Sequence, residues 1–90
     1  MSTAMVEYDV YMRKAEESVI LAKIQEKKYN YLNAKNLYFD ASCYYKEASL
    51  KAWIYQDYES SKEATKLSNE YETKSKQMQR FYIQTKNHCL

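Results

Sequence analysis

Apolar residues recur every three or four positions along three stretches of the chain, the spacing at which side chains share one face of an α-helix. The first stretch, about residues 4–27, carries Tyr8, Tyr11, Met12, Ala15, Val19 and Ala22. The second, about 31–57, carries Ala34, Leu37, Tyr38, Ala41, Tyr45, Ala48 and Ala52. The third, about 61–84, carries Ala64, Leu67, Tyr71, Ser75, Met78 and Tyr82. The pattern therefore predicts three amphipathic helices.

Polar residues between these stretches indicate where each helix begins. Asn30 is a candidate N-cap for the second helix, with its side chain accepting from backbone amides of the first turn. Ser60 and Glu63 have the spacing of a capping box for the third. Short connections make neighbouring helices antiparallel, so we expect an all-α, up-down-up three-helix bundle in one domain, residues 1–90. Because neither Gly nor Pro marks the second connection, a continuous helix over the second and third stretches is the alternative.

Alanines repeat at intervals of seven residues through the first two helices. Ala15 and Ala22 form one set, and Ala34, Ala41 and Ala48 form another. Small residues at this spacing let two helix backbones approach closely, while neighbouring tyrosines fill the space beside them. We therefore expect closely packed helices with grooves between them.

Composition narrows the possible classes of protein. The 90 residues contain no Gly and no Pro, and 46% are hydrophobic and 29% charged, which disfavours both disorder and a β fold. The net charge of +2 is too small to predict binding to nucleic acid or directly to a membrane. Lys62, Lys66, Lys74 and Lys76 alternate with glutamates, which favours a mixed, solvated surface on the third helix. We expect a cytoplasmic protein.

The sequence indicates no catalytic, cofactor or metal site. Without glycine there is no phosphate-binding loop, dinucleotide fingerprint or nucleophile elbow. His88 is the only histidine and lies near the end of the chain, and Cys43 and Cys89 lack metal-ligand spacing. We therefore expect no enzymatic activity, no cofactor and two free thiols.

An aromatic cluster at the end of the second helix has two interpretations. It consists of Trp53, Ile54, Tyr55 and Tyr58. These side chains can close the open end of the bundle, or they can form an exposed patch of the kind that partner proteins contact.

From Ala15 to Met78 the chain resembles the microtubule-interacting and trafficking (MIT) domains, three-helix modules of endosomal sorting proteins. The matching positions run without a gap through Ala15, Val19, Ala22, Glu26, Asn30, Tyr31, Ala34, Leu37, Tyr38, Ala41, Tyr44 and Ala48, and Glu70-Tyr71 resembles the third helix. In this chain Tyr29 replaces the loop glycine of the family, Glu72 replaces a leucine and Lys76 an acidic residue. The last two changes should weaken docking of the leucine- and arginine-rich motifs that the family binds.

The resemblance implies a monomeric, non-catalytic module that docks short helical or extended motifs of ESCRT-III-like or autophagy proteins and recruits a larger trafficking protein to endosomal membranes. For a groove between the second and third helices, the candidate peptide-binding residues are Asp40, Tyr44, Glu47, Leu67, Glu70, Lys74 and Gln77. The acids would meet basic residues of the motif. The other option is the groove between the first and third helices, reached through Ile20, Ile24 and Thr73. A structural oligomerisation element with the second and third helices continuous is the alternative function.

Overall fold

The computed structural model describes the backbone of residues 3–88 and the side chains of residues 5–86. Three α-helices account for almost all of this range: α1 spans Thr3–Lys27, α2 spans Tyr31–Ile54 and α3 spans Tyr58–His88. Each helix packs against its neighbour in the chain, which confirms the predicted all-α three-helix bundle. Since α2 and α3 are separated by a turn, the continuous helix considered as the alternative is not formed.

The helix bounds differ from the predicted ones around the second connection. α2 ends at Ile54 rather than near residue 57, and α3 begins at Tyr58 rather than 61. α3 also continues to His88, beyond the predicted end at 84. The shift of the second connection has its cause at Gln56, because its positive φ of 66° ends the helical geometry there without glycine or proline.

Both connections are three-residue turns closed by the same hydrogen bonds. After α1, the Tyr29 amide donates to Glu26 O (3.0 Å) and the Asn30 amide to Gln25 O (2.9 Å). After α2, the Gln56 amide donates to Trp53 O (2.9 Å) and the Asp57 amide to Ala52 O (3.0 Å). This is the Schellman pattern, whose left-handed position glycine usually occupies. Here Tyr29 (φ 60°) and Gln56 (φ 66°) adopt that conformation at a steric cost.

The caps of α2 and α3 differ from the sequence prediction. Asn30 is the N-cap of α2, but its side chain makes no capping bond and instead donates from Nδ2 to Gln25 Oε1 (3.0 Å). The predicted Ser60–Glu63 capping box is wrong, because Asp57 fills that role. Asp57 Oδ1 accepts from the Ser60 amide (3.3 Å), and Oδ2 accepts from the Ser60 hydroxyl (2.8 Å). An aspartate here satisfies a free amide and favours the positive end of the helix dipole.

The central helix, α2, packs closely against both of the others, whereas α1 and α3 approach each other far less closely. Small buried residues make these close contacts possible. They are Ala15, Ser18 and Ala22 on α1, Ala34, Ala41, Ala48 and Ala52 on α2, and Ser61, Ala64, Ser68 and Ser75 on α3. The predicted alanine repeat is therefore the interface of α2 with its neighbours.

Large side chains fill the wider space between α1 and α3. The Tyr71 ring stacks on the rings of Tyr38 and Tyr45, with centroids 5.9 and 5.7 Å apart. Met78 is fully buried in the same cluster as Ala15 and Ala22. The core therefore consists of alanines in the close interfaces and tyrosines in the wide one.

A ladder of serines aligns α2 with α3. Ser42 and Ser68 place their Oγ atoms 3.3 Å apart, and the Ser68 hydroxyl donates to Ser42 O (2.9 Å). One rung along, Ser49 Oγ lies 3.0 Å from both the carbonyl oxygen and the Oγ of Ser61. In the other direction the Ser75 hydroxyl donates to Lys35 O (3.0 Å). Each rung moves seven residues forward on one helix and seven back on the other, which fixes the antiparallel register.

Candidate functional site

The seven predicted peptide-binding residues do not line one groove. On α2, Tyr44 faces α1, because its ring lies 6.5 Å from that of Tyr11 and the Lys14 ammonium lies 5.9 Å from its centroid. Asp40 and Glu47 are exposed and, at four and three residues from Tyr44, share its side of the helix. These three residues are therefore turned away from α3.

The predicted residues of α3 lie on its α1 side. Lys74 Nζ is 3.7 Å from Glu26 Oε2 and 5.8 Å from the centroid of the Tyr38 ring. Leu67 packs against the core cluster, while Glu70 and Gln77 are exposed one turn from Lys74. The structure thus brings Leu67, Glu70, Lys74 and Gln77 together, but beside α1 rather than across from Asp40, Tyr44 and Glu47.

The residues predicted for the groove between α1 and α3 are also dispersed. Ile20 and Ile24 are exposed on α1. The Thr73 hydroxyl donates to Asn69 O (3.0 Å) within α3. Asn69 in turn lines a cavity on the α2 side, so Thr73 does not face α1. No shared groove joins these three residues.

The aromatic cluster at the end of α2 is exposed. Trp53, Ile54, Tyr55 and Tyr58 leave 60, 63, 51 and 53% of their surfaces accessible, so they do not close the end of the bundle. The rings of Trp53 and Tyr58 lie 4.9 Å apart and tilted by 57°, bridging the turn between α2 and α3. They form one wall of a cavity of about 670 Å³. The complete lining is Trp53, Tyr58, Glu59, Ser61, Lys62, Thr65, Lys66 and Asn69, and we call this cavity the aromatic groove.

The serine ladder accounts for the depth of the aromatic groove. Ser49 and Ser61 bring α2 and α3 together at its base, and the Ser49 hydroxyl also bonds to Thr65 Oγ1 (2.7 Å) on the lining. Larger residues at these positions would fill the space between the helices. An aromatic wall above a base of small polar side chains forms a concave site of the kind that ligands and peptides occupy.

An apolar stripe extends from the aromatic groove along α2. Its members are the exposed residues Leu32, Phe39, Cys43, Leu50 and Trp53. Their spacing of three, four or seven residues places them on one side of the helix. The prediction of a single apolar face is thus incomplete for α2, because this helix has a buried apolar face and an exposed one. Phe39 and Trp53 each lie seven residues from Lys46, and this spacing is the sequence signal that would have revealed the exposed apolar face.

Four basic residues share the flank of α3 that carries the aromatic groove. Lys62 and Lys66 line the aromatic groove, and Lys76 and Arg80 follow them at the spacing that continues one helix face. We call these four residues the basic stripe. On the other flank, the charge of Glu63 acts on Tyr8 of α1, and that of Glu70 on Tyr45 and Tyr71. Glu59 also lines the groove, Glu72 lies one turn before Lys76, and Lys74 lies on the α1 side. The surface of α3 is therefore mixed in charge, as predicted, with more basic than acidic residues beside the groove.

The tyrosines of the core have raised pKa values. Burial raises the pKa of Tyr45 to about 12, with a further contribution from neighbouring Tyr71, Glu16 and Glu70. Burial also raises the pKa of Tyr38, whose hydroxyl donates to Glu26 Oε1 at 2.7 Å. Burial likewise raises the pKa of Tyr8 and Tyr71. All four side chains are neutral near pH 7, where they serve packing and hydrogen bonding.

A second, smaller cavity lies at the opposite end of the molecule. It has a volume of about 410 Å³ and is lined by Lys23, Glu26, Lys27, Tyr29, Tyr31 and Phe81. The rings of Tyr31 and Phe81 lie 5.4 Å apart and form its apolar wall. Glu26 in this lining already bonds to Tyr38 and pairs with Lys74, so its carboxylate belongs to the core as much as to the cavity.

Among the residues that the structure describes, no three His, Cys, Asp or Glu side chains come together in a metal-binding arrangement. Cys43 is exposed, while Cys89 lies outside the described residues. In the described range no helix is long and apolar enough to cross a membrane. Comparisons with protein-family models, curated proteins and solved structures find no match to this chain.

Proposed function

We propose that this chain is a non-catalytic protein-interaction module that docks a short peptide segment into the groove between α2 and α3. The observation that carries the proposal is the exposure of Trp53 and Tyr58, which together form one wall of a cavity of about 670 Å³. Binding energy at protein interfaces concentrates in a few aromatic and aliphatic anchors within such pockets. An apolar peptide side chain between these rings would cover surface that water now contacts.

The resemblance to MIT domains supports endosomal sorting or autophagy proteins as hosts of the peptide. In that role the chain acts as a monomer, recruits a larger trafficking protein and reaches endosomal membranes only through its partners. The groove we propose is displaced from the seven residues predicted from the resemblance, because Tyr44 turns towards α1 and Lys74 pairs with Glu26. The resemblance supports peptide docking as the class of function, and the exposed rings of Trp53 and Tyr58 support the aromatic groove as the docking site.

The test is an amide NMR titration of the labelled chain with a panel of ESCRT-III C-terminal tail peptides, after its mass in solution has been measured. We expect shifts to cluster on Trp53, Tyr58, Thr65 and Asn69. Trp53→Ala should abolish them, while Ile20→Ala is the matched control, since Ile20 is as exposed (59%) but lies on α1. If no peptide shifts any resonance at millimolar concentration, these tails are not the partners and the proposal fails for this class.

Self-association is a second candidate function, favoured by one observation on α1. Val6, Val10, Ile20, Leu21 and Ile24 are all exposed, which is a large apolar surface for a helix of this length. Pairing of such faces between two copies would bury them. Sedimentation analysis over a wide range of concentrations tests it: a mass that rises with concentration in the native chain, and not in Ile20→Glu, supports self-association.

A further inference from the structure

The partner's chemistry can be inferred from the surroundings of the aromatic groove, on the premise that the proposed docking function holds. The groove lies between the apolar stripe of α2 and the basic stripe of α3. Lys62 and Lys66 contribute to its lining directly, with Glu59 as the only acidic member. The ion pairs found among the described residues join Lys51 to Glu7 and Lys74 to Glu26, and neither involves the groove.

We propose that the segment docked here is an acidic amphipathic helix, whose apolar residues enter the aromatic groove and whose carboxylates meet the basic stripe. This is opposite in charge to the leucine- and arginine-rich motifs that the family resemblance implies. Lysines beside an apolar groove weaken the docking of such basic motifs and strengthen that of acidic ones, so we expect acidic segments to bind more tightly at the same place.

The part of the apolar stripe from Phe39 to Trp53 sets the length of the segment. Phe39 and Trp53 are fourteen residues apart on α2, about 21 Å at the rise of an α-helix. A helix of about fourteen residues spans this distance, with three or four apolar anchors spaced three or four residues apart. The paired rings of Trp53 and Tyr58 accept the anchor at one end, and Phe39 contacts the anchor at the other.

A concave site favours a peptide over other anionic partners. A bilayer presents a broad surface and cannot enter a groove between two helices, and a nucleic acid would leave the apolar stripe in contact with phosphates. A helix with one apolar face and one acidic face complements both stripes at once.

The experiment uses three synthetic peptides of about fourteen residues. The first is helical, with leucines every three or four residues and glutamates flanking them. The second has every glutamate replaced by lysine, and the third is a scramble of the first. Trp53 is the only tryptophan, so its fluorescence reports binding at the groove itself. We expect the acidic peptide to shift this signal with an affinity at least about tenfold above that of the other two.

Charge-reversed variants of the full chain locate the interaction. Lys62→Glu with Lys66→Glu should weaken the acidic peptide at least about tenfold and strengthen the lysine peptide. Lys23→Glu with Lys27→Glu is the matched control, because these lysines have the same spacing but lie on α1 beside the second cavity. It should change either affinity by less than about twofold.

The possible outcomes separate this inference from the proposed function. Preference for the lysine peptide at Trp53, or equal binding of the scramble, overturns the acidic partner but leaves peptide docking intact. Binding of the acidic peptide that the control variant weakens more than Lys62→Glu with Lys66→Glu overturns the location. Loss of all peptide binding together with capture by anionic vesicles or duplex DNA overturns both proposals.

Discussion

Ser42 and Ser68 meet in the buried interface between α2 and α3, with their Oγ atoms 3.3 Å apart and the Ser68 hydroxyl donating to Ser42 O. Both side chains are almost fully inaccessible. Small hydroxyl-bearing residues allow the two helices to approach closely without leaving polar atoms unpaired. In the range that the structure describes, no buried side-chain nitrogen or oxygen lacks a hydrogen-bond partner. The interface is therefore sensitive both to the size and to the polarity of its residues.

Replacing Ser68 should separate these two contributions. Ser68→Ala removes a hydrogen bond without adding volume, so we expect the free energy of unfolding to fall by about 1 kcal/mol. Ser68→Leu must also push the helices apart, so we expect a loss of about 3 kcal/mol. Thr85→Leu is the control, because Thr85 is exposed on α3 and bonds only to its own helix. Chemical denaturation measures all three. A loss for Ser68→Leu no greater than for Thr85→Leu would show that the helices do not touch here.

Glycine at the left-handed position of the second turn should stabilise the chain. Gln56 holds a φ of 66°, which costs a residue with a Cβ atom about 1 kcal/mol relative to glycine. Gln56→Gly should therefore raise the free energy of unfolding by about 0.5–1 kcal/mol, less the extra freedom that glycine gives the unfolded chain. Gln79→Gly, the same substitution at an exposed site within α3, should lower it by about 1 kcal/mol. Equal effects at the two sites would contradict the turn geometry.

Removing the carboxylate of Asp57 should weaken the start of α3. This side chain accepts from both the amide and the hydroxyl of Ser60, so Asp57→Ala should cost about 1 kcal/mol of unfolding free energy. Asp57→Asn should cost less, since an amide oxygen can still accept. Asp40→Ala, at an exposed position within α2, serves as the control and should change stability by less than about 0.5 kcal/mol. Thermal and urea unfolding give the comparison.

Alkaline pH should destabilise the fold through its buried tyrosines. The ordinary tyrosine pKa is 10.0, and burial raises that of Tyr45 to about 12. Between these values the unfolded chain releases a proton that the native chain retains, so the unfolding free energy falls as pH rises. This stabilisation is complete below pH 10 and is lost towards pH 12.

Far-UV circular dichroism during urea titrations at a series of alkaline pH values measures this loss. In Tyr45→Phe the fall with pH should be less steep, because one of the raised groups is gone. Ser68→Ala provides the control: it lowers stability without removing a tyrosine, so its curve should be displaced while keeping the slope of the native chain. An unchanged slope in Tyr45→Phe would mean that Tyr45 ionises as readily in the folded chain as in the unfolded one.

Apolar periodicity and the absence of Gly and Pro were enough to predict the fold. They were not enough to predict the turns. Apolar spacing in a chain without Gly or Pro leaves little other than helices, and Asn30 marks the first connection. The second connection was placed three residues too late because Ser60 and Glu63 match a capping motif that the chain does not use. Gln56 adopts a conformation that its own preference disfavours, and the hydrogen bonds around it impose that conformation.

The site was harder to predict, because the outcome depends on the rotation of each helix about its axis. Tyr44 and Leu67 both belong to apolar stripes, and an alignment to a family cannot show that one faces α1 from α2 while the other faces it from α3. The missing signal was the serine spacing. Ser61, Ser68 and Ser75 repeat at seven residues and match Ser42 and Ser49, which identifies the faces of α2 and α3 that meet.

The central position of α2 has a consequence for how the chain folds. Every close helix contact joins elements that are adjacent in sequence, α1 with α2 and α2 with α3. The chain therefore closes only short loops before native contacts form, and helical proteins with such local contacts fold within microseconds to milliseconds. Either helical hairpin can form first and act as a template for the remaining helix. Refolding should be a single fast phase, free of proline isomerisation because the sequence contains no proline.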